Sequence, residues 1–275
     1  LSEAKSQPRR FLQFAMKIPR GAPHEYMVNL LWGIRQAEEA DGASKATLPT
    51  ETEARELVIH LGYREETFLG TEICRFMLDR SSTFYNEPIR KLISRYATEH
   101  PDSGGRIHRK QDEEKAFHIQ VDALNSTRGI ALTVIAHILF ELKFLPEDII
   151  LVLDKTACDT SPAIRLATVR TCLPILNFDP TTASDLFLRA CEGQDLMLAS
   201  PHVSEFLQYA LPSRPELFAL PRRMAYSTLP EVVRIGASWI AAYWIGREGD
   251  DTLLRSLMKT NKACRTGIAL AAAQN

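Results

Sequence analysis

The chain has 275 residues, and its 33 basic and 34 acidic side chains leave a formal net charge of −1. Near-neutral charge excludes a broad electrostatic attraction to nucleic acid or to an anionic membrane surface, so neither is expected as a partner. The five cysteines form no C-x-x-C pair, and no apolar run reaches the roughly 18 residues that span a bilayer. These features predict a soluble, cytoplasmic protein without a disulfide framework.

Four helices are predicted in the first part of the chain. Apolar residues at helical spacing indicate the first helix at 24 to 40, ending at Asp41-Gly42. The second helix follows Thr50 and Glu53, a hydroxyl cap and an early acid before an apolar stripe that ends at Gly62. The pattern predicts two more helices, at about 69 to 80 and 86 to 99.

A polar segment at 100 to 114 separates these helices from a more regular region. Its basic cluster, 106 to 110, is followed at once by the acids 112 to 114 and has no interleaved aromatic residue, which favours a solvated, mobile loop over a phosphate-binding site. We expect irregular helical pairs in 1–118 and regular repeats in 119–275, continuous with each other as one solenoid.

A helical stripe recurs five times in the second region. Relative to an anchor residue, apolar or small residues lie at offsets of −1, +2, +3, +6 and +7, which define one face of a helix. Successive anchors are 37, 39, 30 and 31 residues apart: Arg128, Arg165, Ser204, Arg234 and Arg265. This period accommodates two helices with their turns and is close to the repeat length of helical solenoids.

Partner helices are predicted between the stripes. Pro146 and Glu147 indicate a helix start before an apolar run, and Thr181 offers a hydroxyl cap to a helix over 181 to 190. Small residues in the stripes would let neighbouring helices approach closely. The pattern is still helical near Asn275, and the chain begins without Met, so we expect a segment of a longer protein whose other parts would carry any chemistry.

The sequence offers no recognisable catalytic or cofactor-binding motif. Its seven histidines form no H-x-x-x-H pair, and the chain has no glycine-rich phosphate loop and no G-x-S-x-G elbow. We therefore predict no enzyme activity, metal or cofactor in this segment. His137 within a helix, and the aromatic side chains of Trp239, Tyr243 and Trp244, are candidates to face a ligand, although their helical spacing favours burial between repeats.

The anchor arginines need polar partners, because a charged side chain beside a buried stripe otherwise loses solvation. Asn125 lies three residues before Arg128, and Asp159 lies six residues before Arg165. We therefore predict bonds between arginines and inter-helix turns rather than ligand contacts. The predicted inter-repeat residues are Asn125, Arg128, Asp159, Arg165, Arg234 and Arg265.

The pattern Asp-x-x-x-x-[IV]-Arg-x-[AG], best matched by residues 159 to 175, resembles the HEAT repeat. In that repeat the second helix carries such an arginine, paired with an aspartate in the turns. The resemblance implies a right-handed α-solenoid of antiparallel helix pairs. Ser204 replaces the arginine in one stripe, and Thr127 replaces the aliphatic residue before Arg128.

A narrower resemblance covers about residues 119 to 275 and rests on 123 to 131, 200 to 211 and 232 to 237. These segments look like the helical region that follows the ATPase module in large bacterial STAND-type NTPases of antiphage defence. The resemblance implies a non-catalytic sensor or arm that binds a protein ligand or neighbouring domains, with the oligomeric state left open. The alternatives are a structural spacer and a HEAT-like nucleic-acid enzyme of the DNA-glycosylase type.

Overall fold

The computed structural model describes residues 2–38, 48–64, 66–78, 80, 84–102, 115–246 and 252–274. Over these residues the chain is all-helical and contains no strand, as predicted. Most of the predicted polar segment, with its basic cluster at 106 to 110, lies outside the described residues. The predicted end of the first helix at 41 to 42 lies outside them as well.

The described residues form sixteen α-helices. They are α1 (Ser2–Ser6), α2 (Pro8–Ala15), α3 (His24–Glu38), α4 (Glu51–Gly62), α5 (Gly70–Met77), α6 (Glu87–Glu99), α7 (Ala116–Asn125), α8 (Thr127–Leu142), α9 (Glu147–Ala157), α10 (Pro162–Ile175), α11 (Pro180–Cys191), α12 (Pro201–Ala210), α13 (Ala219–Ala225), α14 (Pro230–Gly246), α15 (Thr252–Thr260) and α16 (Lys262–Gln274). Short 3-10 helices occur at Thr67–Leu69, Asp195–Ala199 and Pro215–Phe218.

The four helices predicted in the first part are confirmed as α3, α4, α5 and α6. The predicted start of α4 is confirmed in detail, because the Glu53 amide donates to Thr50 Oγ1 at 3.2 Å and the Thr50 amide donates to Glu53 Oε2 at 2.8 Å. This reciprocal capping box satisfies two amides that have no partner inside the helix. Helices α1 and α2 were not predicted, since each is too short to show a clear apolar stripe.

The described residues divide into two compact units. Unit 1 comprises residues from Leu1–Arg106 and Asp122–Thr156, and unit 2 comprises residues from Ile107–Val121 and Ala157–Asn275. Helix α7 begins in unit 2 and ends in unit 1. The predicted change from irregular to regular pairs at residue 118 concerns repeat regularity and stays a prediction.

Unit 1 is built from contacting pairs of helices. Helices α2 and α3, α4 and α5, and α6 and α8 pack against each other. Helix α4 also contacts α2 and α6, while α5 also contacts α3 and α8. Each pair therefore packs against the pair next to it through both of its members.

Unit 2 has its own network of helix contacts. Helix α10 packs against α11 and α12, and the rings of Phe187 and Phe206 join α11 to α12 by stacking 4.0 Å apart. Helix α14 packs against α13 and α16, and α15 contacts both α14 and α16. A core cluster that includes Val233, Ile240 and Leu257 fills the space among α13 to α16.

The five stripes lie on α8, α10, α12, α14 and α16, which confirms that each anchor segment is helical. Every stripe position of the first four helices is buried. In α16, Ile268 is half-buried and Ala272 is exposed, while the other three stripe positions are buried. Helical spacing therefore identified the buried face of these helices correctly.

Small stripe residues allow α14 and α16 to approach closely, as predicted. A Cβ atom added to Gly267 would lie 2.1 Å from the carbonyl oxygen of Arg234. Such a separation is far inside van der Waals contact, so only glycine fits there without a shift of the backbone.

The predicted cap of α11 was wrong. The helix begins at Pro180, and the carboxylate of Asp179 accepts a hydrogen bond from the Thr182 amide at 3.1 Å. Proline suits the first helical position because it has no amide hydrogen to satisfy, which moves the cap two residues before Thr181. The helix predicted after Pro146 is confirmed as α9.

Candidate functional site

Arg128 lies at the start of α8 in unit 1 and is only 8% exposed. Its Nε donates to the carbonyl oxygen of Ala97 at 2.9 Å, in the last turn of α6. The last carbonyls of a helix have no partner within the helix, so a cation that donates to them satisfies the acceptor and interacts favourably with the helix dipole. Asn125, the last residue of α7, is exposed.

Arg165 makes a similar contact in unit 2. Its Nε donates to the carbonyl oxygen of Asp159, and its Nη1 donates to the carbonyl oxygen of Glu192 at 2.7 Å, immediately after α11. The same helix end accepts a second arginine, because Nη2 of Arg223 donates to the Cys191 carbonyl oxygen at 2.8 Å. The two arginines of α10 and α13 therefore both hold the end of α11.

The Asp159 carboxylate itself accepts a hydrogen bond from the Ser161 amide at 2.9 Å, which orders the turn before α10. Of the other two predicted arginines, Arg234 is half-buried on α14 and Arg265 is exposed on α16. Their predicted inter-repeat role stays a prediction.

A buried ion pair that the sequence analysis missed joins two turns of unit 1. The Arg64 side chain is 4% exposed, and its Nη1 and Nη2 donate to the carbonyl oxygens of Ile18 and Pro19 at 2.9 and 2.8 Å. Its Nε lies 2.8 Å from Glu66 Oε2, an ion pair without ideal hydrogen-bond alignment. The Gly21 amide donates to Glu66 Oε1 at 2.8 Å. These contacts fix the turn after α2 against the turn after α4.

The electrostatics of Glu66 agree with this geometry. Burial by itself raises the pKa of the Glu66 carboxyl, but the Gly21 amide and the Arg64 guanidinium outweigh burial and hold that pKa below its ordinary value. Glu66 is therefore ionised at neutral pH and needs its cationic partner.

Arg95 of α6 makes the third such contact in unit 1, since its Nη2 donates to the carbonyl oxygen of Gly62 at 2.7 Å, at the last residue of α4. Arg64, Arg95 and Arg128 thus each donate to backbone carbonyls at or beyond the end of an earlier helix. The three are spaced by 31 and 33 residues. Arginine contacts of this kind consequently also occur in the first part of the chain, where no recurring arginine-anchored stripe was predicted.

The residues predicted as candidates to face a ligand are divided between the two units. His137 is half-buried on α8 in unit 1. In unit 2, the Tyr243 ring stacks on Phe218 at 4.2 Å, and Trp239 Nε1 donates to Ser204 Oγ at 3.4 Å. Trp244 is 37% exposed and is the most accessible of the three aromatic residues.

Large apolar side chains that the sequence analysis did not single out are exposed in unit 1. Phe140 near the end of α8, Phe144 in the following turn and Leu151 on α9 are 69, 55 and 65% exposed. Each of these side chains leaves apolar area in water, which favours covering it with another apolar surface. Exposure was not predictable because the apolar residues of α8 surround the helix rather than marking one face.

Possible metal ligands and thiols are located among the described side chains. No group of three or more His, Cys, Asp or Glu side chains that could hold a metal ion occurs in the described ranges. Burial raises the pKa of the Cys74 and Cys172 thiols and raises that of Cys191 to about 12, so these thiols stay protonated at neutral pH. Cys158 is exposed.

The structure thus defines an all-helical protein whose helix ends are joined by arginine contacts. Within the described residues, no single helix is long and apolar enough to cross a membrane; α7 and α8 pass that test only as a bent pair. No protein-family model matches the sequence, and neither a curated protein nor a solved structure is significantly similar to the chain.

Proposed function

We propose that this chain is a non-catalytic helical-repeat segment that serves as a scaffold and binds a protein ligand. The contacts within unit 1 support a repeat architecture, because each helix pair packs on the neighbouring pair through both members. The five stripes at similar spacing, four of them fully buried and the fifth partly buried, support the same reading in the second part. We propose that the pairs continue as a right-handed α-solenoid of HEAT-like repeats.

Small-angle X-ray scattering tests this architecture. A compact globule of 275 residues has a radius of gyration of about 19 Å. A solenoid is more extended, so we expect a clearly larger value for the monomer, and a value near that of the compact globule would overturn the proposed arrangement.

The observation that carries the binding proposal is the exposure of Phe140, Phe144 and Leu151 within twelve residues of one another. Single exposed apolar residues are common on monomeric proteins, but two phenylalanines and a leucine that are each more than half exposed suit the apolar centre of a protein interface. Such a centre needs no catalytic group on the chain itself.

The experiment compares the wild type with the triple variant F140S/F144S/L151S and with the control Y226S. Tyr226 is 64% exposed and lies in unit 2. Proteins captured by the wild type are purified, and their affinity for all three chains is measured. We expect the triple variant to bind at least about tenfold more weakly and the control to bind like the wild type. If none of the captured proteins binds the triple variant more weakly than the control, the protein-binding proposal is overturned, and a purely structural spacer is the remaining function.

We further propose that the segment is the sensor or arm of a larger STAND-type ATPase. The three sequence segments that resemble this family lie on α7 and α8, on α12 and on α14. A reading frame with a Walker-type loop upstream of these residues is expected, and a frame without one would overturn the proposal. A salt titration of DNA binding tests the alternative of a HEAT-like nucleic-acid enzyme, because contacts to phosphates make the affinity for DNA fall steeply as salt increases.

A further inference from the structure

A cavity of about 230 Å³ opens in unit 1 beside the last two turns of α6. Its walls come from the end of α4, the turn at Glu66 and Thr67, and the segment from Arg95 to Pro101. Taking about 30 Å³ for each water molecule, this volume corresponds to roughly eight waters, or to a ligand of roughly eight to ten heavy atoms.

Two of the polar side chains around the cavity are fixed by contacts within unit 1. His100 Nε2 lies 2.9 Å from the Thr67 carbonyl oxygen, and its Nδ1 accepts a hydrogen bond from the Asp102 amide at 3.1 Å. In this arrangement Nε2 donates to the carbonyl and Nδ1 accepts from the amide. Both ring nitrogens of His100 are therefore used, and the Glu66 carboxylate is fixed by its ion pair with Arg64 and by the Gly21 amide, so both side chains serve as fixed walls.

The remaining charged groups are Arg95 and Glu99. The Arg95 guanidinium has five N–H groups. One of them donates to the Gly62 carbonyl oxygen, and the guanidinium also interacts with Tyr96. Glu99 is exposed and lies one helical turn after Arg95. Earlier on α6, Glu87 and Lys91 form an ion pair 2.6 Å apart at this same spacing. Arg95 and Glu99, both within the described residues, form no such pair, and each keeps hydrogen-bonding capacity at the cavity.

Tyr96 and Pro101 supply the apolar part of the wall. The Tyr96 ring is buried and meets the His100 ring edge to face at 5.8 Å. Side chains at i and i+4 on a helix lie about 5 to 6 Å apart at Cβ, so the cation and the anion face a ligand across a short distance.

We propose that this cavity binds a small zwitterion, specifically a free α-amino acid. Its carboxylate binds the unused N–H groups of Arg95, its ammonium group binds Glu99, and its side chain packs on Tyr96 and Pro101. The proposal concerns a small ligand and does not depend on the protein-binding function proposed above. Planar guanidinium groups favour carboxylates through paired hydrogen bonds, and the adjacent carboxylate selects against ligands that are only anionic.

The test is calorimetric titration of the whole chain with each of the twenty common L-amino acids up to about 10 mM. For an amino acid that binds, two analogues are then titrated, one without the amino group and one without the carboxylate. For leucine these are 4-methylpentanoate and 3-methylbutylamine. We expect one-to-one binding of at least one amino acid and at least about tenfold weaker binding of both analogues.

Three variants complete the design. E99Q changes an exposed side chain and is expected to fold normally, while E87Q on the same helix is the matched control. R95Q also removes the bond to Gly62, so its fold is checked by circular dichroism. We expect E99Q and folded R95Q to weaken binding at least about tenfold and E87Q to leave it unchanged. The proposal is overturned if no amino acid binds, if the analogue lacking the amino group binds equally well, or if E99Q binds like the wild type.

Discussion

Replacing Arg64 by methionine should strongly destabilise unit 1. Methionine keeps most of the apolar volume of the arginine stem, so the change removes the charge and its three contacts rather than opening a large cavity. The carbonyl oxygens of Ile18 and Pro19 lose their donors, and Glu66 stays buried without its ion-pair partner, with the Gly21 amide as its remaining hydrogen-bond donor.

The magnitude follows from what remains unpaired. Removing one member of a buried ion pair costs about 3 to 5 kcal/mol, because the other charge is left without compensation. Burial of Arg64 at 4% exposure and of Glu66 at 11% exposure places this pair in that class. We therefore expect R64M to lower the free energy of unfolding by about 3 to 5 kcal/mol.

Urea denaturation followed by circular dichroism measures this change, and the double variant R64M/E66Q tests its cause. A glutamine at position 66 can still accept from the Gly21 amide but carries no charge, so the double variant should recover at least about 1 kcal/mol relative to R64M. K91M, which removes an exposed ion pair on α6, is the control and should unfold like the wild type. A loss below about 1 kcal/mol in R64M, or a double variant no more stable than R64M, would refute this reasoning.

Three further predictions concern packing, capping and thiol access. G267A should lower the free energy of unfolding by about 1 to 3 kcal/mol, because its Cβ overlaps the Arg234 carbonyl oxygen. A269S, on the exposed face of α16, is the control and should not lower it by this amount; thermal unfolding compares the two variants. Hydrogen bonds from Thr182 lower the pKa of Asp179, so this cap stabilises the fold above the unfolded-state pKa of the carboxyl and is lost as pH falls. D179A should lower the free energy of unfolding by about 1 kcal/mol at pH 7, and by less toward pH 3. A loss that does not change with pH would contradict this prediction. A thiol reagent should label one cysteine, Cys158, in the native chain and the buried four only after unfolding; rapid labelling of more than one would show that the described burial is wrong.

The helices of the second part were predictable because each carries an apolar stripe at helical spacing. The stripe beginning at Val203 is an example, since it identified both the helix and its buried face without the anchor arginine. Eight-residue α2 was missed because so short a helix shows few stripe positions. The Asp179 cap was missed because the threonines that follow it also carry hydroxyls that can cap a helix, so the sequence offered more than one acceptor for the first amides of α11.

The arginine contacts were only partly predictable. The sequence indicated that Arg128 and Arg165 need partners, but it pointed to nearby polar side chains. Arg165 does donate to the predicted residue Asp159, but to its backbone carbonyl, and Arg128 donates to the carbonyl oxygen of Ala97, which lies 31 residues away. Every residue type has a backbone carbonyl oxygen, so residue types in the sequence cannot identify which carbonyl accepts the hydrogen bond. The cavity beside Arg95 was unpredictable for the same reason, since its walls come from segments that only tertiary packing brings together.

The shared end of α11 limits where unit 2 can be shortened. Arg165 and Arg223 approach this end from opposite directions along the chain, and both donate to its final carbonyls. A truncated chain that stops between Glu192 and Arg223 would keep α11 but remove one of its two anchors. The last turn of that helix would then fray more readily, so fragment boundaries for expression or crystallisation belong beyond Arg223.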